Sequence, residues 1–484
     1  NPPYGSTTNR ARTYLRMAYP HTKNDLYAAF LERALDLLNG TGFAGALTSR
    51  TFLYLISFQD LRERILFEKL QPVSALDLGF GILDDALVET VATALQADPE
   101  RPGQQTVFLR LNAFEDERQT KLERILDNTD FQLVHDTLFA VSLADFKFIP
   151  SSPFAYWASS TLRHQFELHP PLAHFATVGS GLNTGNDARF VRMRWEIPPD
   201  SIGKRWMPFA KGGDYCKYYY DLNLVIDWAK KGQVLKNYPG CNIRHEDQYF
   251  KEGLTHPSIS VKGFGVRYLP PGAVFGKKGP AIFPKRRKNL KWELLATLNS
   301  TLAYSFLLMQ TPSRSYEVSH VSSLPIASHI ASHTGMLGKQ ARKMYDLKAA
   351  WDTGNEICTR FDAPWPVQVS ESANQRESES ASQRISDETN GIGKVLALLG
   401  DDAPEIALPE PVTLEALLDA ARAIERVADA RLQRLQAQID EAVYDLYEIS
   451  EADRALIERE LGDRPPELVW PQMEGKSDRE KRRE

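Results

Sequence analysis

The chain has 484 residues, of which 42% are hydrophobic and 25% charged, with a net charge of −5. Length and composition exclude a disordered tail and a mini-protein, and predict about two to four domains. Three scattered cysteines, Cys216, Cys241 and Cys358, supply neither a disulfide framework nor a C-x-x-C ligand pair, so a cytoplasmic setting is expected and a metal centre is not.

The first residue, Asn1, is expected to mark the downstream part of a longer polypeptide. Residues 24–38 place Leu26, Phe30, Ala34, Leu37 and Leu38 at helical spacing, with Asn24 or Asp25 as cap and Asn39-Gly40 as stop. Short apolar segments follow at 43–47, 74–78, 88–95, 106–111 and 133–141, with a helical pattern at 58–70, so an α/β sheet is predicted. Ser-, Pro- and aromatic-rich sequence over 150–163 marks the passage into a second domain, an irregular α+β module reaching about residue 330 and ending in a helix near 292–309. That helix is the most apolar stretch, but Thr297, Asn299, Ser300, Thr301 and Ser305 interrupt it, so it reads as buried and not as a membrane span. A helical segment at 331–366 precedes a Ser-, Glu- and Gln-rich stretch, and 367–410 is expected to be a flexible insertion. From 411 to 484, apolar residues from Leu414 to Leu446 recur at spacings of mostly three and four, the seam of a long helix that needs a partner in this chain or another. The stretch beyond Leu461 is expected to fray.

Charge is unevenly placed. Residues 181–330 hold 22 Lys and Arg against 11 Asp and Glu, while the remainder holds 36 against 52. The basic stretch also carries Tyr215, Tyr218, Tyr219, Tyr220, Phe264, Tyr268 and Phe283, with Lys285-Arg286-Arg287-Lys288 behind them. Cations interleaved with aromatics suit a groove that grips phosphates and touches bases; a solvated basic face is the alternative.

Asn1-Pro2-Pro3-Tyr4 has a chemical logic for methylating an exocyclic amine. The lone pair of an aromatic amino nitrogen is delocalised into the ring, so the group attacks poorly unless held in an sp3-like form. The Asn1 side-chain oxygen and the Pro2 carbonyl can accept its two hydrogens, Pro2 and Pro3 stiffen the backbone that carries those acceptors, and Tyr4 offers a face for an extruded base. A proline-rich turn is the other reading of the tetrapeptide.

Its context favours chemistry. Asn-Pro-Pro-Tyr is followed by Lys23-Asn24-Asp25-Leu26-Tyr27-Ala28-Ala29-Phe30, by Leu38-Asn39-Gly40-Thr41-Gly42 and by Leu61-Arg62-Glu63, an order that resembles the N6-adenine DNA methyltransferases of the gamma motif class. In the basic region, Gly181-Leu182-Asn183-Thr184-Gly185-Asn186-Asp187-Ala188-Arg189-Phe190 is similar to a G-L-x-T-G-D-N-x-R-F element. Lys204-Arg205-Trp206-Met207-Pro208-Phe209-Ala210-Lys211-Gly212-Gly213 is similar to a K-W-x-P-y-x-K-G-G element, and Asn299-Ser300 and Leu324-Pro325-Ile326 to the end of a target-recognition domain. Together they resemble the PglX-type methyltransferases of BREX phage-defence systems, or the related ones of DISARM systems, over nearly the whole chain except 369–408.

The resemblance implies the C-terminal half of a Rossmann-like methyltransferase sheet over 1–150, a target-recognition domain over 151–330 and C-terminal helices. It implies methyl transfer from S-adenosylmethionine to N6 of adenine in a short non-palindromic site of double-stranded DNA, as the self-marking member of an antiviral system with other defence proteins as partners. Asn1, Pro2, Pro3 and Tyr4 would then be catalytic and Asp25 would contact the cofactor. Thr184, Gly185, Asn186, Asp187, Arg189 and Phe190 would sit near base edges, while Arg189, Arg192, Lys211, Gly212, Gly213, Lys285, Arg286, Arg287 and Lys288 would hold the backbone. Two departures stand out: the glycine-rich cofactor motif is expected upstream of Asn1, so this chain alone should have little activity, and Asn186-Asp187 reverses the commoner order. The competing function is a non-catalytic DNA-binding specificity or assembly module.

Other motifs read as structural. Asp77-Leu78-Gly79-Phe80-Gly81 imitates a cofactor loop but lacks a third glycine and is taken as a sheet strand; Gly391-Ile392-Gly393-Lys394-Val395 lacks the Ser or Thr of a phosphate loop. His329 and His333 lack the glutamate of a zincin, His164, His169 and His174 match no ligand period, and no nuclease carboxylate pair is evident.

Overall fold

In the computed structural model the described residues are all but 1, 4–7, 84–86, 98–104, 115–116, 128–130, 286–289, 313, 331–334, 379–389 and 482–484. The chain forms two units, Asn1–His169 with Phe306–Pro312, and Pro170–Ser305 with Ser313–Glu484.

In the first unit Thr8 caps α1 (Asn9–Ala18) and Asp25 caps α2 (Leu26–Leu37), each side chain accepting a backbone amide of the opening turn. The strands are β1 (Phe43–Ser49), β2 (Gln71–Gly79), β3 (Thr90–Gln96), β4 (Gln105–Arg110) and β5 (Leu138–Ser142). They lie in the order β1-β3-β2-β4-β5, with β3 antiparallel to both neighbours, β2 parallel to β4 and β5 antiparallel to β4. The result is a mixed α/β sheet. Successive residues of β4 point to opposite faces: Phe108 joins Tyr27, Phe52, Leu61 and Phe154 on one, while Leu109 joins Leu111, Ile125 of α3 (Arg118–Leu126) and Leu133 of α4 (Phe131–Thr137) on the other. The unit boundary falls at His169 and not at residue 150, because Tyr156 stacks on Phe108 with ring centroids 4.8 Å apart and so ties the chain before α5 (Ser160–Leu168) to this core.

The 58–70 pattern expected to form one helix is instead a short 3-10 turn, Ile56–Phe58, followed by a π-helical turn, Leu61–Leu66, whose wide i to i+5 closure is seen in Phe67 N donating to Arg62 O at 2.9 Å.

The second unit begins with α6 (Leu172–Phe175), β6 (Ala176–Gly179), α7 (Asp187–Phe190), β7 (Val191–Met193), β8 (Trp206–Ala210), β9 (Leu224–Asp227) and α8 (Ala229–Lys236). It continues with β10 (Gly253–Thr255), β11 (Arg267–Leu269), β12 (Val274–Phe275) and β13 (Ala281–Pro284). These make two four-stranded sheets, β11-β10-β13-β6 and β12-β8-β9-β7, around Phe190, Phe209, Ile226, Trp228, Phe275 and Phe283. The single helix expected near 292–309 is two, α9 (Leu290–Leu298) and α10 (Thr301–Gln310). Asn299 sits in the break, where its side-chain amide pairs with both backbone groups of Val266 at 2.8 Å, an alternative to helix continuation.

After α11 (Val318–Ser322) come α12 (Met336–Trp351), α13 (Trp365–Ser378), α14 (Gly391–Leu399), α15 (Leu414–Leu446) and α16 (Glu451–Leu461). The stretch 367–410, expected to be a flexible insertion, thus holds α14 and most of α13. Few apolar residues are present, but Val369, Ile392, Val395 and Leu399 are buried, and the buried Gln368 side chain donates to the Ala363 carbonyl and accepts the Ile392 amide, while its backbone carbonyl accepts from Asn390. The seam of α15, from Ala421 to Leu446, closes on α9, α12, α13 and α14 of the same chain. The stretch beyond Leu461 is docked, contrary to the expectation that it frays. Val469 N donates to Asp429 at 2.7 Å, Trp470 packs on Trp365 at 4.7 Å, and the buried Glu467 pairs with Lys348 at 2.8 Å and Lys217 at 3.7 Å.

One buried group makes this unit acid-sensitive. Burial holds His256 neutral and pushes its pKa down to about 4, with the neighbouring Arg267 charge acting in the same direction and the Pro257 carbonyl opposing. The unfolded imidazole protonates near 6.5, so between about pH 6.5 and 4 the unfolded state binds the extra proton. Stability is therefore full above that window and falls by up to about 3 kcal/mol through it. Urea midpoints at pH 7.5 and 4.5 should show this acid loss shrinking in His256→Gln; an equal loss in both proteins would assign it to other groups.

Among the described residues, no helix is long and apolar enough to cross a membrane.

Candidate nucleic-acid interface

The N-terminal motif is only partly visible. Pro2 is half-buried and Pro3 exposed, while Asn1 and Tyr4 lie outside the described residues. Asp25 serves the fold as a helix cap. Its carboxylate accepts the Tyr27 amide at 3.2 Å, and although burial raises its pKa, the Tyr27 and Leu26 amides partly offset that by stabilising the anion. Asp77 likewise belongs to β2. It is buried against Arg50 at 2.7 Å, Tyr156 at 2.7 Å and Asn112 at 3.3 Å, and burial raises its carboxyl while Arg50 and Tyr156 pull it back.

The Thr184 loop is a built turn. Thr184, 2% exposed, donates to Asp187 at 2.6 Å and accepts the Asn186 amide at 3.2 Å; Asn186 in turn caps α7 through the Arg189 amide at 3.1 Å. Both residues of the reversed Asn186-Asp187 pair are thereby occupied within the loop. Gly185, at φ +72°, lies against the Pro239 to Cys241 backbone, where a Cβ would come within 2.9 Å. Asn186 reaches the Tyr238 hydroxyl at 3.2 Å, the Arg189 guanidinium lies 5.2 Å from the Tyr238 ring, and Phe190 anchors the turn in the core.

Lys211 pairs with Asp187 and so joins the second motif to the first. Burial raises the Asp187 carboxyl, but hydrogen bonds from Lys211 and Thr184 and the Lys278 charge outweigh it and hold the group below its usual value. Gly212 and Gly213 both adopt positive φ, and a Cβ on Gly212 would strike the Lys278 carbonyl. The turn is clamped by Arg267, wholly buried on β11, which donates to the Gly212 carbonyl and to Asp214 O at 2.7 Å while lying 4.3 Å from the Tyr220 ring.

The outcome is a cleft of about 570 Å³ in which Thr184, Asp187 and Lys211 share walls with Arg244, His245, Lys277 and Lys278. Not every expected residue takes part. Arg192 turns to the carbonyls of Ala188 and Val191 at 2.6 and 2.7 Å, and Lys285 donates to Ala173 O, away from the cleft lining. Arg286, Arg287 and Lys288 lie outside the described residues. Arg244, His245, Lys277 and Lys278 were missed in the sequence, although Gly276-Lys277-Lys278-Gly279 is a charged turn signal. Elsewhere in this unit, ligand atoms of Asp221, Asp352 and Cys358 lie within 4.8 Å of one another; each already takes a hydrogen bond, from Thr359, Asn355 and the Arg360 amide respectively.

A basic cleft built around these motifs can be compared with known proteins. Residues 1–77 match the family profile described as Eco57I restriction-modification methylase. The chain is 30% identical over 381 residues to the adenine-specific methyltransferase BrxX of Escherichia coli O9:H4 (strain HS), covering 75% of this chain and 30% of that protein. It is 28% identical over 354 residues to the adenine-specific methyltransferase PglX of Lacticaseibacillus casei (strain Zhang), covering 68% of this chain and 29% of that protein. Its homologues are adenine-specific methyltransferases. The chain spans just under a third of the length of these relatives, and the resemblance to PglX-type proteins read from the motifs holds over most of it. Among solved structures, the Type IIL restriction-modification enzyme MmeI in complex with DNA aligns with a TM-score of 0.49 at 11% identity, covering 94% of this chain and 55% of MmeI.

Proposed function

We propose that the chain is the recognition-bearing part of an adenine-specific DNA methyltransferase that marks one short, non-palindromic site in double-stranded DNA, as the self-marking member of an antiviral system. The observation that carries this reading is the basic cleft of the second unit, in a chain 30% identical over 381 residues to an adenine-specific methyltransferase. The methylase match over residues 1–77 supports a catalytic role for the first unit, and its β1-β3-β2 arrangement is compatible with half of a Rossmann-like sheet.

S-adenosylmethionine supplies the methyl group as an electrophilic sulfonium. Asp25 caps α2 through Oδ1, and its other oxygen would be the atom left to contact the cofactor. On the DNA side, the Asn1 side chain and Pro2 carbonyl would hold the adenine amino group and Tyr4 would stack on the base, while cations of the cleft hold phosphates.

Long-read modification sequencing of host DNA carrying the full-length gene tests the reading. N6-methyladenine at one non-palindromic motif, present only with the gene, is the expected result. DNA binding without any adenine mark would replace the enzyme with a recognition and assembly module.

A further inference from the structure

Resting on the reading of the cleft as a DNA site, we propose that His245 reads a base there. Its neutral Nε2 accepts a hydrogen bond from the exocyclic amino group of an adenine or cytosine in the major groove, and Arg244, Lys277 and Lys278 grip the phosphates beside it.

The geometry singles out His245 from the other residues of the cleft. It occupies the left-handed region at φ 50°, sparsely populated by non-glycine residues and characteristic of sites where neighbouring structure over-determines a conformation. Its ring lies flat on Gly179, where any Cβ would come within 2.9 Å of the imidazole, so the platform requires glycine. Nδ1 is 3.0 Å from the Ser180 carbonyl. A carbonyl oxygen only accepts, so Nδ1 carries a hydrogen, and in the neutral ring this leaves Nε2 as an acceptor. Nε2 has no partner among the described residues. The segment bearing it is fixed to the Thr184 loop by two backbone bonds, Asn183 N to Asn242 O at 2.8 Å and Asn242 N to Asn183 O at 2.9 Å.

An exposed ring anchored through Nδ1, with Nε2 unused, is preorganised in its neutral form for an external donor. In the major groove the base-edge amino donors are adenine N6 and cytosine N4. Arg244, Lys277 and Lys278 are exposed and form no ion pair among the described residues, unlike Lys211, so their charge is available to an external polyanion.

The test uses the full-length protein and duplexes carrying its motif, every single-base variant of it, or random sequence. For His245→Ala the expected result is that discrimination at one A- or C-bearing position falls by about tenfold, while affinity for random duplex stays within about twofold. For Lys277→Ala with Lys278→Ala, all sequences should weaken alike, and the slope of log affinity against log salt should become shallower by about 2. The proposal is overturned if His245→Ala leaves discrimination unchanged at every position, or weakens motif and random duplex equally, while the wild type keeps its motif preference. A wild type that does not bind duplex DNA would overturn the function proposed above as well.

Discussion

Changing Asn1 to Ala in the full-length gene product is expected to lower methyl transfer by about a hundred- to a thousand-fold, the usual loss when one preorganised polar group at a reacting centre is removed. The reason is electronic. An adenine amino group conjugated with its ring presents little lone-pair density, and two acceptors aimed at its hydrogens favour the pyramidal form that attacks. In the proposed arrangement, removing the Asn1 oxygen would leave the Pro2 carbonyl as the remaining acceptor, and the group would relax toward the planar, unreactive form. DNA affinity should change by less than about twofold, because the proposed contacts to DNA lie in the cleft formed by Lys211, Arg244, His245, Lys277 and Lys278. Single-turnover methylation with tritiated methyl donor, run beside gel-shift titration of the same protein, separates the two quantities. A parallel loss of binding and transfer would remove Asn1 from the chemistry and make the N-terminal tetrapeptide a structural turn.

Local signals in the sequence carried far. The α2 cap, read as Asn24 or Asp25 and supplied by Asp25, four of the apolar segments read as strands and the seam of α15 each depend on neighbours within a few residues; the fifth segment, 133–141, opens instead as α4 before it becomes β5. The Thr184 motif also reads locally, since a Thr-Gly-Asn-Asp run is a self-capping turn. What composition concealed were elements held by a few long-range polar contacts. The docking of the tail depends on Glu467, Val469 and Trp470, three residues in a stretch otherwise rich in charge and proline. The ordering of α13 and α14 depends on Gln368, whose side chain looks like surface in any linear reading.

The site divides along the same line. Motif residues close in sequence were found together, yet Arg244 and His245 reach the cleft only because Gly185 packs on the 239–241 backbone and Asn183 pairs with Asn242, contacts across more than fifty residues. Arg267 is invisible for the opposite reason: an isolated arginine in a basic region reads as a phosphate contact, whereas here it is wholly buried and shapes the Gly212 turn from within. Counting cations therefore located the module and could not rank its members.

Arg62 shows how costly such a hidden arginine is to lose, and Arg62→Leu is expected to destabilise the first unit by about 4 kcal/mol. The guanidinium is completely buried, and burial lowers its pKa to about 10, still well above neutrality, so it remains charged. Its donors converge on three backbone carbonyls from two separate parts of the unit: Phe52 at 2.6 Å and Leu55 at 2.9 Å, and Ser151, which takes Nη2 at 2.7 Å and Nε at 3.1 Å. Leucine fills much of the volume but supplies no donor, leaving the buried Phe52 carbonyl without its partner at about 1–3 kcal/mol and removing the part-buried bonds to Leu55 and Ser151 as well. Lysine restores the charge without the planar fork, so Arg62→Lys should fall between wild type and leucine. Hydrogen exchange is the direct measurement: protection of the amides in β1 to β5 should drop by about a thousandfold in Arg62→Leu, with those of β8 and β9 in the other unit keeping theirs. Unchanged protection in β1 to β5 would mean that water can replace the guanidinium, and that the Leu61-Arg62-Glu63 motif has some purpose other than joining the 52–55 segment to the chain at Ser151.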